Sequence, residues 1–226
     1  MAGNTSGFFG REQAASYDTR WQKLAPMRAG LGFLTRLILE DLPADAKILC
    51  VGAGTGAELL DLASHFPGWS FTAADPSGPM LDVCREKAEQ AGVTPRCTFH
   101  EGYVDSLPET REFDAATAIL VSQFITNKEK RSDFFRGIAR RLRPGGRLIT
   151  ADLSAPDDPQ RFQSLMAFWE ASQILAGSAP ADAARTAEMW KDKVAVLTTA
   201  GGFETPVRFY QTLFIHAWHA QVPEED

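Results

Sequence analysis

The stretch Ile48-Leu49-Cys50-Val51-Gly52-Ala53-Gly54-Thr55-Gly56 decides the fold of this chain. Its four apolar residues predict a buried strand, and the glycines that follow predict a tight turn into a helix. Glycines let a ligand approach the backbone closely, and the amides at a helix N-terminus offer donors to a polar or anionic group. The stretch therefore predicts either a ligand site at the first strand-to-helix crossover or only a tight turn between the two elements.

Strand and helix patterns alternate outward from this stretch. Apolar runs at 69–74, 97–100, 113–121 and 148–153 predict four more strands, and helical stripes separate them. This alternation is typical of an α/β fold, in which a parallel sheet is covered by helices. Right-handed crossovers place the carboxyl ends of all these strands at one edge, where ligands bind.

The flanking segments complete a single predicted domain over 1–226. Residues 1–44 predict N-terminal lid and entry helices, 45–153 a cofactor-binding core, and 154–226 a helical insertion followed by terminal strands. In the last part, an apolar stripe near 187–197 predicts a helix, and the aromatic and β-branched residues of 207–220 predict one or two strands.

Asp75 is the second feature of the predicted site. It ends the second predicted strand about 20 residues beyond the glycine loop, where an acid can bind both ribose hydroxyls of a nucleoside cofactor. A simple helix-capping role is the structural alternative. Gly52, Gly54 and Ala57 also satisfy the looser dinucleotide pattern, so the loop leaves NAD open as the ligand.

Several motifs together resemble class I S-adenosylmethionine (SAM) dependent methyltransferases. They occur in the family's order and approximate spacing, within about 45–153, at 48–56, 74–81, 101–108, 113–114 and 142–148. The acid–x–Ser–x–x–Met–Leu run that begins at Asp75 and the Arg-Pro-Gly-Gly turn that begins at Arg143 are the most specific of them. The resemblance implies a Rossmann-like three-layer α/β/α fold with a seven-stranded, mostly parallel sheet and an antiparallel last strand.

The same resemblance implies positions for SAM. Gly52, Ala53 and Gly54 would hold its methionine end, and Asp75 would bind the ribose. Arg28 is either a partner for the SAM carboxylate or a solvated helix residue. Tyr103 departs from the family, which usually has an acid there as the acceptor for the adenine amino group; Asp105 is a substitute. The remaining implied contacts are Pro76, Met80 and Val104 on the adenine and Val121 near the sulfonium.

The flanks look most similar to the family branch that contains the carboxy-SAM synthase of tRNA wobble-uridine modification. The similarity lies in Ser122-Gln123-Phe124 and Phe209-Tyr210-Gln211. That enzyme holds its cofactor carboxylate with an arginine shortly before the last Gly-Phe turn. The corresponding stretch 194–197 has no arginine, so we expect ordinary SAM.

No Ser-His-Asp set, metal cluster or reactive-cysteine context is evident, and we expect no metal site. SAM carries the difficult chemistry, so the protein must align a nucleophile and exclude water. The substrate-site candidates are Tyr17, in the predicted lid, Gln123, Tyr210 and His216.

Composition limits the partners. The chain has 226 residues and a net charge of −6, which argues against a protein that grips phosphate backbones. Three unpaired cysteines and the absence of a signal or membrane-spanning pattern predict a cytoplasmic protein with no membrane partner. A local cluster, Arg136, Arg140, Arg141 and Arg143, leaves tRNA open as a partner, and a homodimer stays open too.

The sequence therefore predicts a SAM-dependent methyltransferase acting on an unidentified small molecule. Three alternatives remain: a tRNA-modification enzyme using SAM or a SAM derivative, a NAD-dependent oxidoreductase, and a non-catalytic SAM-binding protein.

Overall fold

The computed structural model describes residues 10–154, 159–183 and 201–224. The helices among them are α1 (Arg11–Trp21), α2 (Ala25–Leu39), α3 (Ala57–His65), α4 (Gly78–Gln90), α5 (Lys128–Ala139) and α6 (Pro159–Leu175). The strands are β1 (Lys47–Val51), β2 (Ser70–Asp75), β3 (Cys97–Glu101), β4 (Phe113–Ile119), β5 (Leu142–Leu153), β6 (Val207–Thr212) and β7 (Ile215–Gln221).

The strands form one seven-stranded sheet in the order β3-β2-β1-β4-β5-β7-β6. The first five strands pair in parallel, and β7 inserts antiparallel between β5 and β6. The predicted Rossmann-like α/β/α fold, with its mostly parallel sheet and antiparallel last strand, is confirmed. Strand order reverses between β1 and β4, which opens a crevice at the carboxyl ends of these two strands.

The sheet is buried on both faces in its middle. In β1, Ile48 and Cys50 pack into one apolar cluster with α3 and α4, and Leu49 and Val51 pack into another with α5. A strand covered on both sides has to be apolar at every position, which explains the unbroken run before Gly52. The rigid centre of the sheet therefore lies directly beneath the glycine loop.

Strand β5 begins earlier than its apolar pattern predicts. It starts at Leu142 instead of Leu148, and its register with β4 jumps from the pair Phe113–Leu142 to the pair Ala115–Arg147. The Arg-Pro-Gly-Gly turn is thus an irregular excursion within one long strand. Gly145 lies there at φ 71°, a conformation that favours glycine.

Strand β4 ends two residues earlier than predicted, at Ile119. Leu120 follows with φ 59°, in the left-handed region that non-glycine residues rarely adopt. Its amide donates to the carbonyl of Ala151, which holds this conformation in place. Such strained backbone concentrates at functional sites, and this position opens onto the crevice beside β1.

Helix α2 is fastened to the sheet at both ends. Near its start, the Tyr210 hydroxyl donates to the carbonyl of Met27 (2.8 Å), and near its end Arg147 donates to the carbonyl of Ile38 (2.6 Å). No helix in the described ranges is long and apolar enough to cross a bilayer. The predicted stripe near 187–197, which contains Trp190, and the apolar pair Phe8-Phe9 lie outside the described residues.

Candidate functional site: a glycine loop, two acids and a docked helix

The glycine loop has the backbone that its sequence predicts. Gly52, Gly54 and Gly56 all have positive φ, at 65°, 55° and 81°. A Cβ at Gly52 would overlap Val121, and a Cβ at Gly56 would lie 2.5 Å from the sulfur of Cys84. These two glycines are therefore required by close packing.

Gly54 is different from its two neighbours. A Cβ there would meet nothing closer than the Met80 methyl carbon at 3.8 Å. The backbone of Gly54 thus faces open space beside a buried methionine, as a residue approached by a ligand should. Packing alone therefore does not require glycine at position 54, and the loop has room for a ligand there.

Asp75 connects the loop to the next crossover. Its Oδ2 accepts from the Gly54 amide (2.9 Å), and its Oδ1 accepts from the Ser77 amide (2.8 Å). Burial raises the pKa of Asp75, although both amides oppose that shift, and the residue is 8% exposed. A carboxylate has about four lone-pair sites, so acceptor capacity remains for two hydroxyls.

The predicted adenine side is partly assembled. Ser77 is the N-cap of α4 and accepts from the Met80 amide (3.3 Å), which fixes Met80 in a buried position close to the loop. Pro76 is half-buried beside it. Together they provide an apolar surface one turn away from Asp75.

Tyr103 and Val104 occupy unlike environments. Val104 is buried against α5 in the cluster around Phe135, whereas Tyr103 is 46% exposed. Asp105, the predicted substitute acceptor, is exposed. Of these three residues, the exposed pair can reach a ligand without rearranging the core.

Helix α1 covers the loop. The hydroxyl of Thr55 donates to Asp18 Oδ1 (2.9 Å), and Lys87 on α4 forms an ion pair with Asp18 Oδ2. Lys87 also donates to the carbonyl of Thr55 (3.4 Å). One aspartate therefore fastens the predicted lid helix both to the glycine loop and to α4.

Tyr17 and Arg28 are brought to the same place. The half-buried phenol of Tyr17 has a raised pKa because of burial, and the charges of Arg28, Glu58 and Asp75 all act on it. Arg28 itself is exposed on α2. The charges of Arg28 and Asp75, two predicted site residues, therefore both act on Tyr17.

Glu58 belongs to this group and was not predicted. It is the second residue of α3, and its Oε1 is buried. Burial raises the pKa of Glu58 to about 7. A hydrogen bond from its own amide and the charge of Arg28 act in the opposite direction and lower it. An acid in the first turn of a helix is ordinary in sequence, since it favours the helix dipole, so nothing in the chain signalled its burial.

A second polar network lies at the ends of β4 and β5. Buried Asp152 accepts from the Ser122 hydroxyl (2.5 Å) at Oδ2 and from the Gln123 amide (3.0 Å) at Oδ1. Burial raises the pKa of Asp152 to about 7. The carboxyl group shapes the turn after Val121, so it positions this wall of the crevice.

Gln123, a predicted substrate residue, is part of that network. Its side-chain oxygen accepts from the Leu153 amide (3.2 Å), and the residue is buried. Its oxygen is therefore used to join β4 to β5. Val121, next to it, is half-buried and packs against the glycine loop.

Tyr210 and His216 lie on opposite faces of the sheet. Tyr210 pairs with Ala217 and packs with Leu31, whereas His216 pairs with Gln211 and with Asp152. Side chains alternate along a strand, so the neighbours His216 and Ala217 point apart. Burial lowers the pKa of His216, which favours a neutral imidazole, but the structure does not bring it together with Tyr210.

The arginines of the predicted basic cluster bind carbonyls and carboxylates of the protein itself. Arg141 is buried and donates to three carbonyls, those of Gly137, Asp105 and Leu107. The other members pair with acids, as Arg136–Asp133, Arg140–Glu109 and Arg143–Asp114. These contacts lower the positive potential available to a polyanion, so the cluster does not support a tRNA contact.

A cavity of about 400 Å³ opens at the other edge of the sheet. It is lined at the amino ends of the strands, by residues such as Lys47, Ser70 and Phe113. Ligands of open α/β sheets bind at the carboxyl ends, so this cavity is separate from the candidate site.

The fold and the site define a class. An open Gly54, an acid that joins the glycine loop to the end of β2, and a buried carboxylate oxygen at the start of α3 lie together at the first crossover. The protein is thus a Rossmann-like α/β protein whose candidate site lies where ligands of this fold bind.

Comparison with known families relates this fold class to methyltransferases. Residues 48–146 match the methyltransferase domain family. Over these residues, which are less than half of the chain, and in its sheet order, the chain is similar to the class I SAM-dependent methyltransferases. The match favours SAM over NAD, which the glycine loop alone leaves open.

Curated relatives have more specific names. The chain is 33% identical over 149 residues to the ubiquinone/menaquinone biosynthesis C-methyltransferase UbiE of Pseudomonas fluorescens, and the alignment covers 63% of this chain and 56% of the relative. It is 33% identical over 141 residues to the demethylmenaquinone methyltransferase of Thermus thermophilus, covering 62% and 56%. The chain thus spans little more than half the length of these two relatives.

Solved structures agree on the fold. A SAM-dependent methyltransferase from Methanosarcina mazei aligns with a TM-score of 0.60 at 19% identity, covering 84% of this chain and 98% of that one. The cyclase SpnF aligns with a TM-score of 0.59 at 18% identity, covering 86% and 82%. Since a cyclase shares it, the fold alone does not define the reaction.

Proposed function

We propose that this chain transfers the methyl group of SAM to a small molecule bound in the crevice between β1 and β4. The observation that carries this proposal is the carboxylate of Asp75, which holds the amide of Gly54 while retaining free acceptor capacity at the end of β2. When bound, SAM supplies an electrophilic methyl group on its sulfonium.

Different residues bind the amino-acid end, the ribose and the adenine of SAM. The backbone of Gly52, Ala53 and Gly54 holds the amino-acid end with Arg28 and Tyr17, and Asp75 accepts from the ribose hydroxyls. Pro76 and Met80 pack on the adenine, and the exposed residues Tyr103 and Asp105, on either side of buried Val104, border it. Val121 faces the reacting centre from the end of β4, where it contacts the loop.

Helix α1 excludes water from the glycine loop. The contacts of Asp18 with Thr55 and Lys87 hold this helix over the loop, so a bound cofactor is enclosed. Enclosure strengthens every electrostatic contact and protects the sulfonium from hydrolysis. Gln123 and Asp152 then fix the wall of the crevice, and neutral His216 stays a candidate base for acceptors that must lose a proton.

The acceptor we propose is small and carries a nucleophilic carbon or heteroatom. The relatives' names, quinone C-methyltransferases, put hydroxylated aromatic rings first in the test panel. The internal pairing of Arg136, Arg140, Arg141 and Arg143 argues against a tRNA acceptor. The relatives likewise favour methyl transfer over carboxy-SAM synthesis.

Two measurements test the proposal. Calorimetry should show binding of SAM and of its demethylated product S-adenosylhomocysteine (SAH), and no comparable binding of NAD. Mass spectrometry with methyl-deuterated SAM should then show label in reduced demethylmenaquinone or another small phenol, and not in bulk tRNA. Preferential binding of NAD, or label in tRNA alone, would contradict the proposal.

A further inference from the structure

One side-chain oxygen of Glu58 makes no hydrogen bond among the described residues. Its Oε1 is buried, and no hydrogen-bond donor reaches it from the residues that the structure describes. A buried acceptor left unsatisfied costs about 1–3 kcal/mol, more when it is charged. Such an atom next to a ligand site is best explained by a donor that arrives with the ligand.

The groups around Glu58 do not supply that donor. Asp75 on β2 is an acceptor. The phenol of Tyr17 on α1 and the thiols of Cys50 on β1 and Cys84 on α4, whose pKa values burial raises, make no hydrogen bond to Glu58 Oε1. Arg28 on α2 is the cation that acts on Glu58, yet its side chain is exposed. The buried oxygen Oε1 of Glu58 therefore lies beside the loop without a hydrogen-bond donor from the described residues.

The glycine loop offers hydrogen-bond donors, whereas Glu58 offers an acceptor. The loop amides and the start of α3 present donors, which suit the carboxylate of an amino acid and repel an ammonium group. A zwitterionic tail needs one anionic acceptor as well. Asp75 already accepts from two amides and lies at the ribose position, whereas Glu58 Oε1 accepts from no described group.

We propose that Glu58 accepts a hydrogen bond from the α-ammonium group of SAM, so that Glu58 and Arg28 together recognise the zwitterionic end of the cofactor. This inference rests on the proposed function, because it assigns a residue to the same pocket. Glu58 is then a specificity-determining residue that distinguishes an aminoacyl nucleoside from nucleosides without an amino group.

The test uses two probes and two variants of the full chain. The probes are SAH and its deaminated analogue, in which the α-amino group is replaced by hydrogen. The variants are Glu58→Gln and the control Glu86→Gln, an exposed position on α4. Calorimetry measures the affinity of each protein for each probe, and binding of the deaminated analogue shows that a variant is folded.

The wild type and Glu86→Gln should bind SAH at least about tenfold more tightly than the analogue, the size of one charge-assisted hydrogen bond. Glu58→Gln should lose about tenfold in SAH affinity and bind the analogue within about twofold of wild type. If wild type binds SAH and Glu58→Gln keeps the full preference for it, this inference is overturned and the proposed function stands. If wild type binds neither SAM nor SAH, both are overturned.

Discussion

Asp75 Oδ2 accepts a hydrogen bond of 2.9 Å from the backbone amide of Gly54. The acid at the end of β2 therefore fixes the loop that follows β1, before any ligand is considered. Its other oxygen accepts from Ser77 and orders the start of α4. A single buried carboxylate thus sets the positions of both crossovers that border the nucleoside site.

Asp75→Asn should weaken SAH binding about 10- to 100-fold, because an amide nitrogen replaces one acceptor and the negative charge is lost. Calorimetry measures the change, and Asp133→Asn, which alters an exposed acid on α5, serves as the control. An affinity for SAH within about twofold of wild type would show that Asp75 only orders the backbone.

Asp18→Asn should loosen α1, because its pairing with Lys87 is replaced by a neutral contact. Amide hydrogen exchange in α1 should speed up, and SAH affinity should fall about 3- to 10-fold as the enclosure weakens. The matched control is Asp82→Asn, which removes the surface pair Asp82–Arg85 from α4 and should change neither. Equal effects of the two variants would refute a covering role for α1.

Gly52→Ala should destabilise the fold by about 3 kcal/mol or more, because the new methyl group would overlap Val121 at a positive φ. Gly92→Ala is the control: its φ is 69°, but nothing lies within 4 Å of an added Cβ, so about 1 kcal/mol is expected. Urea unfolding gives both values. The double variant with Val121→Ala should recover part of the loss, and equal costs for the two single variants would contradict the overlap.

Stability should depend on pH through Glu58. Its folded pKa is about 7, above the ordinary value of 4.5, so the folded state binds this proton more tightly. The stabilising contribution is complete below pH 4.5 and is lost as the pH rises through 7. Glu58→Gln should therefore gain stability relative to wild type between pH 5 and pH 8, by about 2 kcal/mol, as followed by urea unfolding.

Glu112→Gln should change stability with pH in the opposite direction to Glu58→Gln. Lys47 lowers the pKa of Glu112, so that carboxyl group stabilises the fold above its ordinary pKa, and its loss should reduce relative stability as the pH rises. A Glu58→Gln difference that does not change with pH would contradict the buried state of Glu58. Asp152, whose pKa is also raised to about 7, should add a falling slope to wild type and variants alike.

The sheet and the loop were predictable because they depend on local patterns. Unbroken apolar runs identified β1 and β4, and Ser77 was recognisable as a helix cap from its position alone. Strand ends were less accurate: β5 extends back to Leu142 because its register tolerates a bulge that apolar periodicity does not show. The assignments of individual ligand contacts stay predictions.

Buried charge was not predictable. Glu58 and Asp152 look like ordinary acids in the sequence, and their raised pKa values arise from elements that are distant along the chain. The arginines after Gly137 looked like a basic patch for the same reason, since their partners Asp105, Glu109 and Asp114 precede them by about 30 residues. Tertiary neighbours, not composition, decide whether such groups face a ligand.

The docked helix α1 has a consequence for engineering. Tyr17 and Asp18 on α1 and Arg28 on α2 lie outside 48–146, the segment that matches the methyltransferase domain family, yet they act on groups at the glycine loop. The cover and the sheet are thus separate parts of the chain. Grafting different N-terminal helices would change the roof of the pocket and leave the strands beneath it unaltered.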